Sequence, residues 1–273
     1  MKIAIFYFSA TGNTSRMVEV IKEKFIGLGV QVDDYDISSY ASRQKRYNLN
    51  PYQAIVFGAP IHSWRAPRLV REWLRTLDGG NKKCSMFFTY GGFGVHPTHY
   101  TTRKILSEQG FVVVSSAEFL GEHTFNLGGW KAMTGRPDES DFQVAREYAA
   151  GTYKRFTGED PEILDELEKT NYREEELDLI EGFRFNILTK VPSRDGENCS
   201  MCMLCEELCP AWAMDAQKGL ADKEKCIACL RCVAICPESV LKINDMTQTW
   251  PFKLEMEKID ESSLQQKQSK SYF

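Results

Sequence analysis

The chain has 273 residues, 42% hydrophobic and 26% charged, with a formal net charge of −4; this is the composition of a soluble globular protein with room for one large domain or two smaller ones. No apolar run nears the roughly 20 residues needed to cross a bilayer, and the N-terminus lacks the long apolar region and small-residue cleavage site of a secretory leader. A cytoplasmic location without membrane insertion is expected, where thiols stay reduced, and no basic–aromatic stripe points to nucleic acid.

Residues 1–157 alternate short apolar runs with helical patterns. Strands are predicted at KIAIFYF (2–8), VQVDDYDI (30–37), AIVFGAP (54–60), SMFFTYG (85–91) and FVVVSSAEFL (111–120). All but the second are strongly apolar or β-branched, as strands buried on both faces of a parallel sheet are. Helices are predicted at 15–28, 67–77, 100–109 and 141–156, the last opened by the acidic and serine residues of "RPDESD". In the first helix Met17, Ile21 and Phe25 recur at four-residue spacing and form a core-facing stripe. Strands alternating with helices give an α/β fold with an open, doubly wound parallel sheet. Cys84 opens a strand and is expected to be a buried, inert thiol.

Three loops of this region carry chemistry. The first strand leads through "SATGNTS" (9–15) into a helix, so that backbone N–H groups and the positive helix end face an anion. The hydroxyls of Ser9, Thr11, Thr14 and Ser15, the Asn13 amide and the flexible Gly12 suit a dianionic monophosphate held without a cationic side chain. The glycine patterns for a pyrophosphate or a nucleoside triphosphate are absent, and an ordinary capped turn is the alternative. Ligands of an open parallel sheet bind at the carboxyl ends of its strands, where "GAPIHSWRAP" (58–67) and "TYGGFGVH" (89–96) lie. Pro60, Ile61, His62 and Trp64 from one loop, with Thr89, Tyr90, Gly91, Gly92, Phe93 and Gly94 from the other, would enclose a flat isoalloxazine, stacked by Trp64 and reached by backbone amides. Trp64 as a plain core or surface aromatic is the alternative. His62 and His96 could donate protons there, although a loop histidine without a catalytic partner is the simpler expectation; His99 and His123 have no argument beyond polarity. Arg65, Arg68, Arg71 and Arg75 follow the second loop. They would favour a reduced, anionic flavin or dock an acidic partner, unless Arg68, Arg71 and Arg75 form one solvated helix face.

Charge then changes sign. Residues 1–157 carry 20 Lys and Arg against 14 Asp and Glu, whereas residues 158–181 carry 2 against 11. Residues 158–182 are predicted to be an acidic helical connector, and 183–192 a strand or extended linker. Either the parts attract one another or the acids are a solvated face.

Eight of the nine cysteines lie between positions 199 and 236, and dense cysteine in a cytosolic protein points to metal. The spacing Cys199-x2-Cys202-x2-Cys205-x3-Cys209-Pro210 repeats as Cys226-x2-Cys229-x2-Cys232-x3-Cys236-Pro237. Three closely spaced thiolates can converge on one cubane cluster while the fourth cysteine ligates the other. One [4Fe-4S] cluster should take Cys199, Cys202, Cys205 and Cys236, and the second Cys209, Cys226, Cys229 and Cys232. Zinc prefers two separated pairs. The polar tail from 246 is predicted to be helical or disordered.

The cysteine module resembles bacterial-type two-cluster ferredoxins in "CSMCMLCEELCPAWAM" and "CIACLRCVAICPESVL", with Trp212 standing where a smaller apolar residue is usual and expected to pack on a cluster or the neighbouring domain. "SATGNTS" and the two ring loops resemble those of flavodoxins, with "GGFG" replacing aromatic and acidic residues. The whole is similar to the flavodoxin–ferredoxin fusion proteins of anaerobes. The resemblance implies a flavodoxin-like five-stranded sheet in the order 2-1-3-4-5 over residues 1–157 with FMN bound, a connector at 158–192, a small α+β ferredoxin domain at 193–245 and a tail at 246–273. It implies an electron-transfer protein passing electrons between two [4Fe-4S] clusters and FMN and on to a redox protein partner. The alternatives are a flavin-dependent reductase with a small-molecule acceptor at the ring, or a module that hands electrons to a larger complex; a homodimer is also open.

Overall fold

In the computed structural model, residues 1–164, 167–183, 185 and 189–273 are described, without the His96 side chain. β1 (Lys2–Tyr7) leads into α1 (Asn13–Gly27), where Met17, Ile21 and Phe25 are fully buried, as their spacing predicts. There follow β2 (Gln31–Asp36), the short α2 (Tyr40–Arg43), β3 (Ala54–Pro60), α3 (Arg68–Leu74), β4 (Lys83–Tyr90), α4 (His96–Glu108), β5 (Val112–Leu120), a 3-10 turn (Thr124–Gly128) and α5 (Glu139–Thr157). The strands lie parallel in the order β2-β1-β3-β4-β5. The polar β2 takes the edge, while β3, β4 and β5 are buried almost throughout. α1 and α5 cover one face around Phe25, Phe87, Phe119 and Tyr148; α3 and α4 cover the other around Phe6, Phe57, Trp73 and Leu106.

The helices differ from expectation at their starts. α1 begins two residues early because Gly12, at φ 101, closes the turn before it. α4 begins at His96, with a proline in its first turn, rather than at residue 100. α5 opens on a capping box in which Asp138 accepts from the Asp141 N–H and Asp141 accepts from the Asp138 N–H.

Among the described residues, the acidic connector is helical only over α6 (Glu174–Phe183). Upstream, Leu164 is buried and its N–H donates to the Val113 carbonyl (3.2 Å), so this stretch is tied to the sheet edge. Residues 165–166 of the connector, and 184 and 186–188 of the expected strand or linker, lie outside the described residues. The cysteine module is built from α7 (Leu204–Glu207), an antiparallel pair β6 (Met214–Asp215) and β7 (Leu220–Ala221), and α8 (Arg231–Ile235).

The tail is ordered structure: α9 (Thr249–Met256), α10 (Glu261–Gln265) and β8 (Lys270–Tyr272). β8 pairs antiparallel with β5 and adds a sixth strand beyond the five parallel ones. Its composition is polar, yet Leu264 and Ser269 are buried and the Phe273 ring fills the space that Gly151 leaves open. Leu230 of the cysteine module and Trp250 and Leu264 of the tail share one apolar core with Leu120, Phe125 and Trp130, so module and tail pack on the sheet domain as one body.

Candidate functional site

The loops after β1, β3, β4 and β5 converge on one cavity at the carboxyl edge of the sheet. Every predicted ring and phosphate residue lines it except Gly12, Ser15 and Gly92. Gly12 shapes the first loop from behind. Gly92 faces away, toward Met133 and Leu264, and its carbonyl accepts from Lys267 Nζ (2.5 Å). The first loop is held by its own hydroxyls: the Ser15 N–H donates to Ser9 Oγ (3.1 Å), and Thr14 Oγ1 bonds Thr89 Oγ1 (2.8 Å). The Ser9 N–H donates to Ser38 Oγ (2.7 Å), and Asn13 Nδ2 donates to the Glu122 carbonyl (2.9 Å). Thr11 is exposed, and its hydroxyl makes no hydrogen bond among the described residues.

Trp64 is presented by a strained turn. His62 and Arg65 exchange backbone hydrogen bonds (2.8 and 3.2 Å), and the two residues between them, Ser63 and Trp64, have φ of 49° and 66°. Both central residues at positive φ define a type I′ turn, usually built from Gly, Asn or Asp. Such outliers cost of order 1–3 kcal/mol each and cluster at functional sites. The Trp64 ring lies against Gly94, where an added Cβ would approach its Nε1 to 3.2 Å, and against Tyr172 of the connector (centroids 5.4 Å).

The arginines behind this turn are engaged by the chain's own acids. Arg65, fully buried, donates to Glu174 (3.1 Å), Asp178 (2.6 Å) and Glu181 (2.9 Å) of α6, and Arg71 shares Glu181 (2.9 Å). Of the two charge hypotheses, attraction between parts of the chain describes Arg65 and Arg71. Arg75 is exposed, and Arg68, also exposed, reaches the Glu224 and Lys225 carbonyls of the cysteine module (3.4 Å each).

Sequence reasoning missed a fourth wall of the cavity, formed by Glu122 to Phe125, Trp130, Ala228 and Lys253. The segment after β5 could have been found, since it too leaves the carboxyl end of a strand; Ala228 and Lys253 come from distant parts of the chain with no local signal. His123 Nδ1 accepts from the Phe125 N–H (3.1 Å), which fixes a neutral ring, and burial with the nearby Lys253 ammonium pushes its pKa down to about 3. Lys253 sits over the Phe93 ring (4.6 Å) and pairs with Glu257. His99 is placed elsewhere, buried between Ser116 Oγ (2.7 Å) and Glu118 Oε2 (3.2 Å). The His96 side chain lies outside the described residues.

In the cysteine module the sequence repeat becomes a backbone repeat. Met201 and Ala228, Met203 and Leu230, and Trp212 and Ser239 occupy equivalent positions, and all have positive φ, between 50° and 65°. The Met201 and Ala228 N–H groups donate to the sulfurs of Cys199 and Cys226 (3.4 Å each), and the Ala213 N–H donates to Cys209 (3.3 Å). Two non-glycine residues per loop in the left-handed region bend the backbone around a centre and aim its N–H groups at sulfur. Cys199, Cys202, Cys205 and Cys236 line one cavity. Burial pushes the Cys232 thiol up, and the charges of Cys229, Cys226, Cys209 and Cys205 around it add to that. Cys229 is pushed up to about 12, first by burial, so a thiolate there needs a cation's charge beside it. Burial also opposes ionisation of Cys236, but the N–H groups of Leu241, Val240, Glu238 and Ser239 bring its pKa down. Cys84 is fully buried and its thiol is raised by burial alone. Trp212 stacks on Tyr40 of α2 (4.7 Å, 26°) and so packs on the neighbouring domain.

Residues 4–120 match the model of the flavodoxin domain, and residues 191–237 match that of the 4Fe-4S dicluster domain. No curated protein matches the chain. Among solved structures, an archaeal flavodoxin is 18% identical over 57% of this chain and 99% of its own, with a TM-score of 0.43. Flavodoxin 2 from Bacillus cereus gives the same figures. The rubredoxin oxygen:oxidoreductase of Desulfovibrio gigas is 17% identical over 57% of this chain and 36% of its own, also at 0.43. Among the described residues no helix is long and apolar enough to cross a membrane.

Proposed function

We propose, for a chain that joins a flavodoxin domain to a 4Fe-4S dicluster domain and so belongs to electron transfer, that it is a carrier holding one FMN and two [4Fe-4S] clusters and exchanging electrons with a redox protein partner. The observation that carries this reading is the position of Ala228. It belongs to the loop between Cys226 and Cys229 and lines the same cavity as the Ser9–Thr14 loop. Bound there, FMN supplies chemistry in one or two electrons and the clusters supply single electrons; the protein fixes their distance and keeps water out.

The first loop would hold the phosphate through Ser9, Thr11, Asn13 and Thr14, shaped by Gly12. Trp64 would face the ring, with Pro60, Ile61, His62 and the Thr89–Gly94 segment around its edge. Cys199, Cys202, Cys205 and Cys236 would hold the first cluster and Cys209, Cys226, Cys229 and Cys232 the second. The shared cavity of the first set supports this division. Cys229 is buried in the core of the sheet domain while Cys202 is exposed, so the first cluster would be the terminal open to a partner.

Anaerobically purified protein should contain about eight irons, eight sulfides and one FMN per chain. Cys209→Ala should lose about half of the iron and keep FMN, whereas Cys84→Ala should keep both. A preparation that holds only zinc, or full iron without Cys209, would contradict the reading. The wall formed by Phe125, Trp130 and Lys253 favours a second reading, a flavin-dependent reductase with a small acceptor beside the ring. Oxidation of the reduced protein by small acceptors without any protein partner tests it.

A further inference from the structure

Two arginines cross the interface between the phosphate loop and the loops assigned to the second cluster. Arg231 lies between Cys229 and Cys232 in sequence and opens α8. Its Nη1 donates to the Ser9 carbonyl of the phosphate loop (3.1 Å), while its Nε is buried and has no hydrogen-bond partner among the described residues. Arg43 answers from the other side. It donates to the Ile37 (2.8 Å) and Ser38 (2.7 Å) carbonyls and to the carbonyl of Pro210, the residue after Cys209. Ser38 and Ser9 are themselves joined, since Ser38 Oγ accepts from the Ser9 N–H and donates to the Ser9 carbonyl (3.2 Å). The phosphate loop itself, residues 9–15, carries no cationic side chain.

We propose that Arg231 couples the two cofactor sites, its guanidinium acting on both the flavin's phosphate and the electron held by the second cluster. The proposal rests on the FMN and two-cluster reading above. Arg231 is half-buried, and a charge shared across a partly buried interface is screened less than one in open solvent. A phosphate dianion drawn to Arg231 offsets part of its field, so that an added electron on the second cluster is less well stabilised. Binding of the phosphate therefore lowers that cluster's potential, and by reciprocity the reduced cluster weakens phosphate binding by the same factor. Arg231 is a positioning residue in this scheme: it contacts the loop and the cluster segment and takes no part in electron exchange itself.

The test uses the full chain with both clusters reconstituted, loaded with FMN or with riboflavin, which lacks the phosphate. EPR-monitored redox titration, with electrons supplied by mediators, reads the cluster potentials. In the wild type, one cluster should titrate at lower potential with FMN than with riboflavin, by an amount equivalent to at least about a fivefold change in phosphate affinity. The difference should vanish in Arg231→Gln and persist in Arg231→Lys. Equal potentials with the two flavins in the wild type, or an undiminished difference in Arg231→Gln, would overturn the proposal. Should Arg231→Gln fail to hold iron, the wild-type difference between FMN and riboflavin decides alone. A wild type that binds neither flavin would instead contradict the FMN reading on which the proposal rests.

Discussion

Thr11 and Thr14 sit three residues apart in the loop proposed to hold the phosphate and should answer differently to the same change. Thr14 is buried and bonded to Thr89, whereas Thr11 is exposed. Thr11→Ala should raise the Kd for FMN by about 2- to 10-fold, the worth of one hydrogen bond, and leave Tm unchanged. Thr14→Ala should also lower stability by about 1–3 kcal/mol, because the Thr89 hydroxyl is left unpaired in the interior. Flavin fluorescence quenching and thermal unfolding separate the two, and an unchanged FMN affinity in Thr11→Ala would remove Thr11 from the phosphate site. His123 gives a pH dependence. Its pKa is depressed from 6.5 to about 3 by burial and Lys253, so between these values the unfolded chain binds the extra proton. The stability it contributes is complete above pH 6.5 and falls with acidification, by up to about 1.4 kcal/mol per pH unit. His123→Asn, which keeps an acceptor for the Phe125 N–H, should flatten that acid limb of denaturation curves; an unchanged slope would place the proton elsewhere. The place of Thr11 in the cavity wall was legible because the strand–loop–helix turn sets it at the carboxyl edge of the sheet. His123 was not, because its environment is made by Lys253, 130 positions along the chain.

At the scale of elements, apolar runs located β1, β3, β4 and β5, since burial on both faces leaves runs that no surface segment needs, and periodicity located the α1 stripe; the polar edge strand β2 was found without that signal. The connector was misjudged in extent. Its acids match a helix in composition, but residues near Leu164 dock on the sheet edge, and only α6 is free to wind against Arg65 and Arg71. The partners of Arg65 are unequal: Glu181 is 12% exposed, Glu174 45% and Asp178 65%. Solvent screens the exposed pairs, so Glu181→Gln should loosen α6 most. Hydrogen exchange over residues 174–183 should rise several-fold in Glu181→Gln and little in Asp178→Asn; equal responses would mean that charge number, not burial, holds the connector. The polar tail hid β8 because an edge strand is held mainly by backbone pairing, here with β5, and the tail's buried residues Met246, Trp250, Leu264 and Ser269 lie outside the strand.

In the whole molecule, the two modules were each legible from their own residues, and their docking was not. Charge asymmetry suggested attraction, and Trp212 suggested packing on the neighbouring domain. But Ala228 in the flavin cavity, Arg231 at Ser9 and the core shared by Leu230, Trp250 and Leu264 are long-range matches of shape. They place the loop between Cys226 and Cys229 against the cavity of the sheet domain, and under the proposed function they would leave the first cluster toward solvent. Under the proposed function, a fixed contact within one chain would replace a diffusional encounter between carriers. The most direct test is flash photoreduction of the fully loaded chain, following the bleaching of FMN after electrons are injected into the clusters. A first-order rate independent of protein concentration is predicted; a rate that rises in proportion to concentration would show that clusters and flavin meet only between molecules and would contradict the account.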